Sequence, residues 1–482
     1  MCVVLEIEIG QRGNLHGQIT TEISRLISTG AISTGYALPS TRLLSEHLQV
    51  SRNTVIRAYE NLSAEGLIEM RPPLGTFVSE RLPIGVMSVP TLALPSAKAL
   101  QRKLSGALGR SPRPTQPTIK YDFQYERPNK DAIPISAWRR IACDRLRAIP
   151  RGLINTEHPA GSMELRRAIA EYLGPSRSIR VTPDQIIVTG GLQHSLALAV
   201  STLAKRGGVA LVERSRPAQL DKLLEQAGFD IRAGKTDANG LTMEDLAEHP
   251  AELICVTAAR QFPYGGTMPP ERRQLLIRHA QQSNANIIEF EVQNDFRYDG
   301  LLPAALARDD LHDRTLLAGG FETSIGPGVR LGYLVVPARL VDDATNTSAM
   351  LGSAAGWLEQ SVMATFIKSE GYKHHLLRLR KLMMARKEIV LSALRETFAS
   401  VGITGDNSGN YVLWRLPDEL GSCRDVETAL RPVGIAIYGL HNGTLRTTPS
   451  ADDERYVMLG YAGLTSDDLR NGMALLCKTL KC

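Results

Sequence analysis

Apolar residues recur at helical spacing near the start of the chain and alternate with polar residues soon afterwards. The first pattern predicts an amphipathic helix over about 15–27, since apolar positions three and four residues apart share one helix face. Ser40 and Ser51 each precede a further helical pattern, and serine is favoured there because its hydroxyl accepts a backbone hydrogen bond at a helix start. These later elements are two helices and two hairpin strands, predicted at 41–48, 52–64, 67–71 and 76–78.

A different pattern begins at Tyr121, where short apolar runs alternate with longer amphipathic segments. Alternation of strands and helices at this spacing predicts a mainly parallel sheet covered by helices. The predicted strands lie at 185–189, 209–212, 253–256, 286–289, 315–318 and 331–336. From Ala344 to Ser400 the pattern is helical with a break at Gly371, and short strands and a helix at 466–479 close the chain.

The segment between these two patterns, 81–120, contains six prolines and no clear periodicity, which is typical of a linker. Its seven basic residues and no acids give it a net charge of +7, whereas residues 1–80 carry six arginines and eight glutamates, a net charge of −2. The basic segment is either simply solvated or adds contacts to the phosphates of a nucleic acid. The predicted domains are therefore 10–80 and 121–482, joined by this linker.

The composition is that of a soluble globular protein. Of the 482 residues, 43% are hydrophobic and 22% are charged, with a net charge of +6. No apolar run reaches the ~18 residues of a membrane helix, and Glu6 and Glu8 argue against a signal peptide. The six cysteines are scattered without a Cys-x-x-Cys spacing, which predicts reduced thiols, no metal site and a cytoplasmic location.

The start of the predicted helix at 52–64 carries side chains that suit DNA. In helix-turn-helix proteins, these positions of the second helix face base edges in the major groove. Arg52, Asn53, Thr54 and Arg57 share the polar face there, and arginine can pair with guanine and asparagine with adenine. Ser51 is placed to contact a phosphate. The alternative is that this serine is only a cap and the arginines only solvate the surface.

Residues 38–80 closely resemble the DNA-binding domain of the GntR family. The matched features are Leu-Pro-Ser, Val-Ser-Arg, Thr-Val, Ala-Tyr, Glu-Gly and Gly-Thr-Phe-Val, in that order. The resemblance implies an α+β winged helix-turn-helix, with Arg42 at the groove edge and Gly75 at the tip of the wing, where a backbone can approach the minor groove. It also implies a double-stranded DNA operator as the partner.

The rest of the chain, 121–482, resembles the aminotransferase-like domain of MocR-type regulators, which fuse a GntR domain to a fold-type I pyridoxal-phosphate domain. The likeness is carried by VTGGLQHSLAL at 188–198, QFPYGG at 261–266, IIEFEVQNDFRYDG at 287–300 and PGVRLGYLVVP at 327–337. The resemblance implies an α/β fold, a homodimer and a ligand site between two subdomains. The large subdomain would span about 150–340, and the small one about 370–482 together with 121–150.

The resemblance also locates the family's cofactor-binding positions, and most of them lack the required chemistry here. The lysine that forms the Schiff base with pyridoxal phosphate falls on Thr323, and a hydroxyl cannot replace an amine. The serine-like position before it falls on Glu322, whose carboxylate would repel a phosphate. Phe290 falls at the position of the acid that contacts the ring nitrogen, and Val292 at that of the tyrosine that contacts the ring hydroxyl. Pro217 falls at the position of the aromatic ring that stacks on the cofactor. Arg260 stands in place of a histidine, and Met458 in place of an arginine that binds the substrate.

Three residues still resemble phosphate-binding positions of the family. Gly191 and Gln193 lie in a turn before a predicted helix, whose N-terminus suits an anion, and Arg330 follows the Pro-Gly pair. The alternative is structural: the glycine shapes a turn, and the arginine pairs with an acid.

We therefore predict a DNA-binding transcriptional regulator that is not an enzyme and needs no cofactor. Its aminotransferase-like domain would form the dimer and respond to an unidentified small molecule, with no membrane partner. A second interpretation retains weak, non-covalent binding of pyridoxal phosphate through Arg330 and the turn at Gly191. A third, a working aminotransferase with an accessory DNA domain, conflicts with Thr323.

Overall fold

The computed structural model describes residues 14–80, 82, 119–125, 127–128, 130–147, 158–204, 207–248, 250–293, 296–298, 300, 302–352, 355–398, 401–440, 445–447 and 451–481. The chain divides into two units, Met1–Pro114 and Thr115–Cys482. The predicted linker, 81–120, lies almost wholly outside the described residues. In the part of the chain that is described, no helix has both the length and the apolar character needed to cross a membrane.

The described part of the first unit consists of three helices and a small sheet. Its elements are α1 (Leu15–Ser28), β1 (Ala37–Leu38), α2 (Thr41–His47), α3 (Arg52–Ala64), β2 (Ile68–Arg71) and β3 (Gly75–Val78). The strands form an antiparallel sheet in the order β1-β3-β2. The helices and the hairpin agree with the sequence pattern, whereas the two-residue strand β1 is too short to produce a pattern of its own.

Serine caps fix where α2 and α3 begin. The hydroxyl of Ser40 accepts the backbone N–H of Leu43 at 3.3 Å, and the hydroxyl of Ser51 accepts that of Thr54 at 3.2 Å. Each bond satisfies a donor that the first turn of a helix cannot pair internally. The apolar stripes of the helices then pack into one core, which includes Ile19, Ile23, Leu44, Val55, Tyr59 and Leu62.

The second unit begins with a short strand and a helix and then builds a large sheet. Its elements up to the end of this sheet are β4 (Tyr121–Asp122), α4 (Ile135–Arg147), α5 (Met163–Arg177), β5 (Ile186–Thr189), α6 (Leu192–Thr202), β6 (Val209–Glu213), β7 (Ser215–Pro217), α7 (Ala218–Gln226), β8 (Asp230–Gly234), β9 (Thr236–Asp237), β10 (Gly240–Leu241), α8 (Met243–Glu248), β11 (Leu253–Val256), α9 (Pro270–Ser283), β12 (Asn286–Phe290), β13 (Thr315–Gly320), α10 (Glu322–Ile325) and β14 (Gly332–Val335).

Seven strands form the large sheet, in the order β5-β14-β13-β12-β11-β6-β8. The strands from β13 to β8 are all parallel, but β14 is antiparallel to both of its neighbours. The described sheet is therefore mainly parallel, as predicted, with β14 running in the opposite direction. The chain passes from β13 to β14 through residues 321–331, which is shorter than the crossover of a dozen or more residues that a parallel neighbour requires.

A second, smaller sheet and long helices complete the unit. The remaining elements are α11 (Val341–Leu351), α12 (Trp357–Lys368), α13 (Gly371–Thr397), β15 (Gly402–Thr404), β16 (Tyr411–Arg415), α14 (Cys423–Leu430), β17 (Ile435–Ala436), β18 (Tyr438–Gly439), β19 (Leu445–Thr447), β20 (Tyr456–Gly460) and α15 (Ser466–Lys481). The smaller sheet is antiparallel, in the order β15-β16-β20-β18. The predicted helical break lies at Glu370, whose backbone is left-handed with φ 57°, directly before Gly371.

The described residues between 121 and 147 contribute to the cores of both sheets. Tyr121 and Phe123 lie in the core beside the smaller sheet, where β4 pairs with β17. Ile141 of α4 lies instead in the core of the large sheet, because the apolar face of α4 packs against α12.

Candidate functional site

The start of α3 presents a polar face that suits DNA. Arg52, Asn53 and Arg57 are exposed there, and Thr54 is half-buried. The opposite face, which includes Tyr59, is buried in the core of the first unit. The side chains that the sequence analysis chose as base-reading candidates therefore share the solvent-facing side of one helix, as recognition in a major groove requires.

The other predicted DNA-contacting residues are arranged around this helix with different local roles. Ser51 caps α3 and also hydrogen-bonds the Thr54 hydroxyl at 2.8 Å. Arg42 pairs with Glu46 at 3.2 Å, but both side chains are more than half exposed, so the pair contributes little to stability. Gly75 begins β3 with φ 121°, a conformation that favours glycine and lets the backbone of the wing come close to a partner.

The second unit contains a cavity of about 390 Å³ at the carboxyl ends of β12 and β13. Ligands of open α/β sheets bind at this end of the strands. Gly320 ends β13 and lines the cavity, as do Glu291 and Val292 after β12 and Gln193 in the first turn of α6. Among the positions that the resemblance assigns to the cofactor, Gln193, Pro217, Val292, Glu322 and Thr323 line this cavity.

The carboxylate of Glu322 occupies the N-terminus of α6. It accepts the backbone N–H of Leu192, the first residue of that helix. Gly191 and Gly320 flank the same carboxylate so closely that a Cβ at either position would collide with it. Since a helix N-terminus carries partial positive charge, the negative group stabilises it. The anion-binding position of the fold is therefore filled by a side chain of the protein itself.

The guanidinium of Arg177 is buried behind Glu291, the second carboxylate that lines the cavity. Arg177, whose side chain is only 2% exposed, donates to Glu289 at 3.0 Å and also to Glu291. The hydroxyl of Tyr333 donates to the other oxygen of Glu291 at 2.6 Å. Burial raises the pKa of the Glu289 carboxyl, and attraction to Arg177 and Arg273 opposes that rise. This cluster gives Glu291 a fixed orientation at the cavity wall.

The family's other cofactor positions have become wall or core. Thr323, Val292 and Pro217 line the cavity. Phe290 is buried in the apolar core beneath the large sheet, and Met458 is buried in a separate apolar cluster. All five positions carry side chains without an ionisable group, whereas the resemblance places an amine, an acid, a phenol, an aromatic ring and a guanidinium there.

The arginines that the resemblance places near the cofactor, Arg260 and Arg330, do not line the cavity. Arg260 is buried, donates to the Ser408 hydroxyl at 2.8 Å and to the Tyr411 hydroxyl at 3.0 Å, and lies 4.6 Å from the Tyr411 ring. Arg330 is exposed, in a left-handed backbone with φ 54°. Neither arginine lines the cavity, and among the described residues that do, none is lysine, arginine or histidine.

Pyridoxal phosphate does not fit these residues. Its phosphate would need the backbone donors at the start of α6, which Glu322 already uses. Its aldehyde would need an amine where Thr323 stands, and its ring nitrogen would need an acid where Phe290 stands. We therefore assign no chemical step in this cavity to that cofactor.

The contact partners of the two cavity carboxylates, Glu322 and Glu291, could not be predicted from the sequence. Glu322 was recognised as a departure from the family, but its contact with Leu192 spans 130 positions. The contact between Arg177 and Glu291 spans 114 positions. No local pattern links residues so far apart, although the glutamate at the family's serine-like position, Glu322, is a visible signal in the sequence.

Both units are similar to known protein families. The aminotransferase class I and II family matches residues 124–471, and the bacterial regulatory proteins of the gntR family match residues 15–78. The chain is 31% identical over 381 residues to the HTH-type pyridoxine biosynthesis transcriptional regulator PdxR of Corynebacterium glutamicum, over 78% of each chain. It is 29% identical to the probable rhizopine catabolism regulatory protein MocR of Rhizobium meliloti, over 95% of this chain and 92% of that protein.

Solved structures show the same fold for the second unit. An archaeal alanine:glyoxylate aminotransferase superposes with a TM-score of 0.68 at 22% identity, covering 80% of this chain and 96% of that one. The kynurenine aminotransferase of Pyrococcus horikoshii superposes with a TM-score of 0.67 at 19% identity, covering 82% and 96%. At these identities, the likeness establishes the architecture and not the chemistry.

Arg177→Met should lower the free energy of unfolding of the second unit by about 3–5 kcal/mol, because Glu289 and Glu291 would remain at a buried site without their guanidinium. Urea denaturation followed by tryptophan fluorescence measures this directly, since all three tryptophans lie in the second unit. The control is Arg167→Met, which changes an exposed arginine of the same helix and should cost less than about 0.5 kcal/mol. Equal stability of the two variants would contradict the assignment.

Proposed function

The chain belongs to the MocR-type GntR transcriptional regulators, with a domain of the aminotransferase class I and II family, and we propose that it regulates transcription without pyridoxal-phosphate chemistry. The observation that carries the proposal is the carboxylate of Glu322 at the N-terminus of α6. A regulator needs its large unit only to bind a signal and to hold DNA-binding units together. Loss of the cofactor site is compatible with both tasks.

The large unit is proposed not to be an enzyme. Transamination needs an amine to hold the cofactor and an acid to keep its ring protonated, and the corresponding residues are Thr323 and Phe290. A working aminotransferase is therefore disfavoured. Non-covalent binding of pyridoxal phosphate is disfavoured as well, because Arg330 does not line the cavity and Glu322 would repel the phosphate.

DNA recognition is proposed to use the exposed face of α3. Arg52, Asn53, Thr54 and Arg57 would meet base edges in a major groove of a double-stranded operator. Ser51, Arg42 and Gly75 would contact the backbone and the groove edges. Since two linked reading units gain affinity over one, we propose that a homodimer binds paired half-sites.

Arg52→Ala and Arg57→Ala should each weaken specific binding by about 1–3 kcal/mol, or about 5- to 150-fold in Kd, if the residue reads a base. The operator is obtained by genome-wide mapping of bound sites, and affinities are measured by fluorescence anisotropy at one fixed salt concentration. Arg25→Ala, which changes an exposed arginine of α1, serves as the control and should bind like the wild type. Wild-type affinity in both test variants would refute the assignment.

Borohydride reduction of the purified protein with pyridoxal phosphate should give no stoichiometric adduct, because no lysine lines the described cavity and Thr323 has no amine. Intact-mass measurement reports the result, and an aminotransferase with its lysine intact, treated in parallel, shows that the reduction works. The triple variant Thr323→Lys/Phe290→Asp/Val292→Tyr should still lack activity, since Glu322 remains at the phosphate position. A specific adduct on one lysine of the wild type would show that the cofactor chemistry survives.

A further inference from the structure

The cavity of the second unit has the size and the walls of a small-molecule site. Its volume of about 390 Å³ falls within the range of about 300–1,000 Å³ that is typical of such sites. Five aromatic side chains are among the described residues of its lining. Tyr125, Phe262, Phe321 and Tyr333 are buried, and Tyr172 is half-buried. Apolar side chains such as Leu196 and Leu220 add to this surface.

The ionisable groups in the lining, apart from the tyrosines, are both carboxylates. Glu291 and Glu322 line the cavity, and no lysine, arginine or histidine is among the described residues that do so. Arg177, which pairs with Glu291, is buried behind it and does not line the cavity. Because Arg177 offsets much of the charge of Glu291, the carboxylate of Glu322 dominates the field in the cavity, and at reduced dielectric it repels an anion and attracts a cation.

The aromatic walls favour the same sign of charge. The faces of aromatic rings carry negative quadrupole charge and attract an ammonium group within about 6 Å. Phe321 and Tyr333 form a tilted pair with ring centroids 5.4 Å apart, and both line the cavity together with Glu322. Rings and carboxylates together resemble the combination that proteins use to hold organic cations.

The amide side chains add polar contacts without changing this balance. Gln193 and Gln219 are exposed where they line the cavity, and Gln293 is buried with its oxygen accepting the backbone N–H of Asn410 at 3.1 Å. Amides can orient a polar group of either sign. The preference for one sign therefore comes from the carboxylates.

We propose that this cavity binds a small organic cation, an amine with an apolar or aromatic body, whose ammonium group lies at Glu322 and Glu291 and whose body packs against the aromatic rings. The proposal rests on the proposed function, in which the cavity no longer takes pyridoxal phosphate and serves as the ligand site of a regulator. A carboxylate oxygen can accept more than one hydrogen bond, so the Leu192 N–H and an ammonium group can share Glu322.

Three probes of closely similar shape test the sign of the preferred charge. Calorimetric titration of the full-length wild-type protein, without pyridoxal phosphate, compares 2-phenylethylamine, 2-phenylethanol and 3-phenylpropionate. The amine should bind at least about tenfold more tightly than either the alcohol or the carboxylate, a difference of about 1.4 kcal/mol. Equal affinities, a preference for the carboxylate, or no binding of any probe would overturn the proposal, and none of these outcomes depends on a variant.

Two matched variants test the location. Glu322→Gln should abolish the preference for the amine over the alcohol, because the amide keeps the shape and removes the charge. Glu171→Gln, which changes an exposed glutamate of α5, should retain that preference. If both variants keep the preference, the cation does not bind at Glu322.

The outcomes also separate this proposal from the proposed function. A cofactor adduct after borohydride treatment, together with an intact amine preference, would overturn the proposed function and leave the cation site standing. Absence of both the adduct and the preference would overturn the cation site alone.

Discussion

The contact between the Glu322 carboxylate and the first backbone N–H of α6 determines what the second unit can hold. A helix N-terminus is the natural place for an anion in this kind of fold, and a single position cannot hold two. By supplying the anion from its own chain, the protein keeps the stabilising charge at the helix and closes the position to a phosphate. Thr323 in the cavity wall and Phe290 in the core, where the resemblance places an amine and an acid, are consistent with that constraint.

The fold survives these losses because it never depended on the cofactor-binding groups. The large sheet is held by apolar layers on both of its faces, and Phe290 belongs to one of those layers, whereas Thr323, Val292 and Pro217 line the cavity. The buried side chain of Arg177 forms ion pairs with Glu289 and Glu291. Such pairing is what makes buried charge tolerable at all. In the proposed function, this domain binds a signal and holds DNA-binding units together without catalysis.

Sequence predicted the features that local patterns encode. Helix α3 begins after its serine cap as expected, because cap and periodicity lie within a few residues of each other. The resemblance places the Schiff-base lysine at Thr323 because the Pro-Gly pair nearby fixes the alignment, and this assignment stays a prediction. Features that depend on distant residues could not be predicted from local patterns. The antiparallel direction of β14 follows from the length of one connection. The partners of Glu322 and Glu291 lie 130 and 114 positions away along the chain.

The central claim is that Glu322 takes the place of a phosphate. Phosphorus NMR of pyridoxal phosphate, titrated with the full-length wild type and with Glu322→Ser, tests it most directly, because it observes the phosphate itself and needs no covalent link. The account predicts that removing the carboxylate frees the start of α6 and raises the affinity for the phosphate at least about tenfold, a gain of about 1.4 kcal/mol. Binding by the wild type that equals or exceeds that of the variant would contradict it.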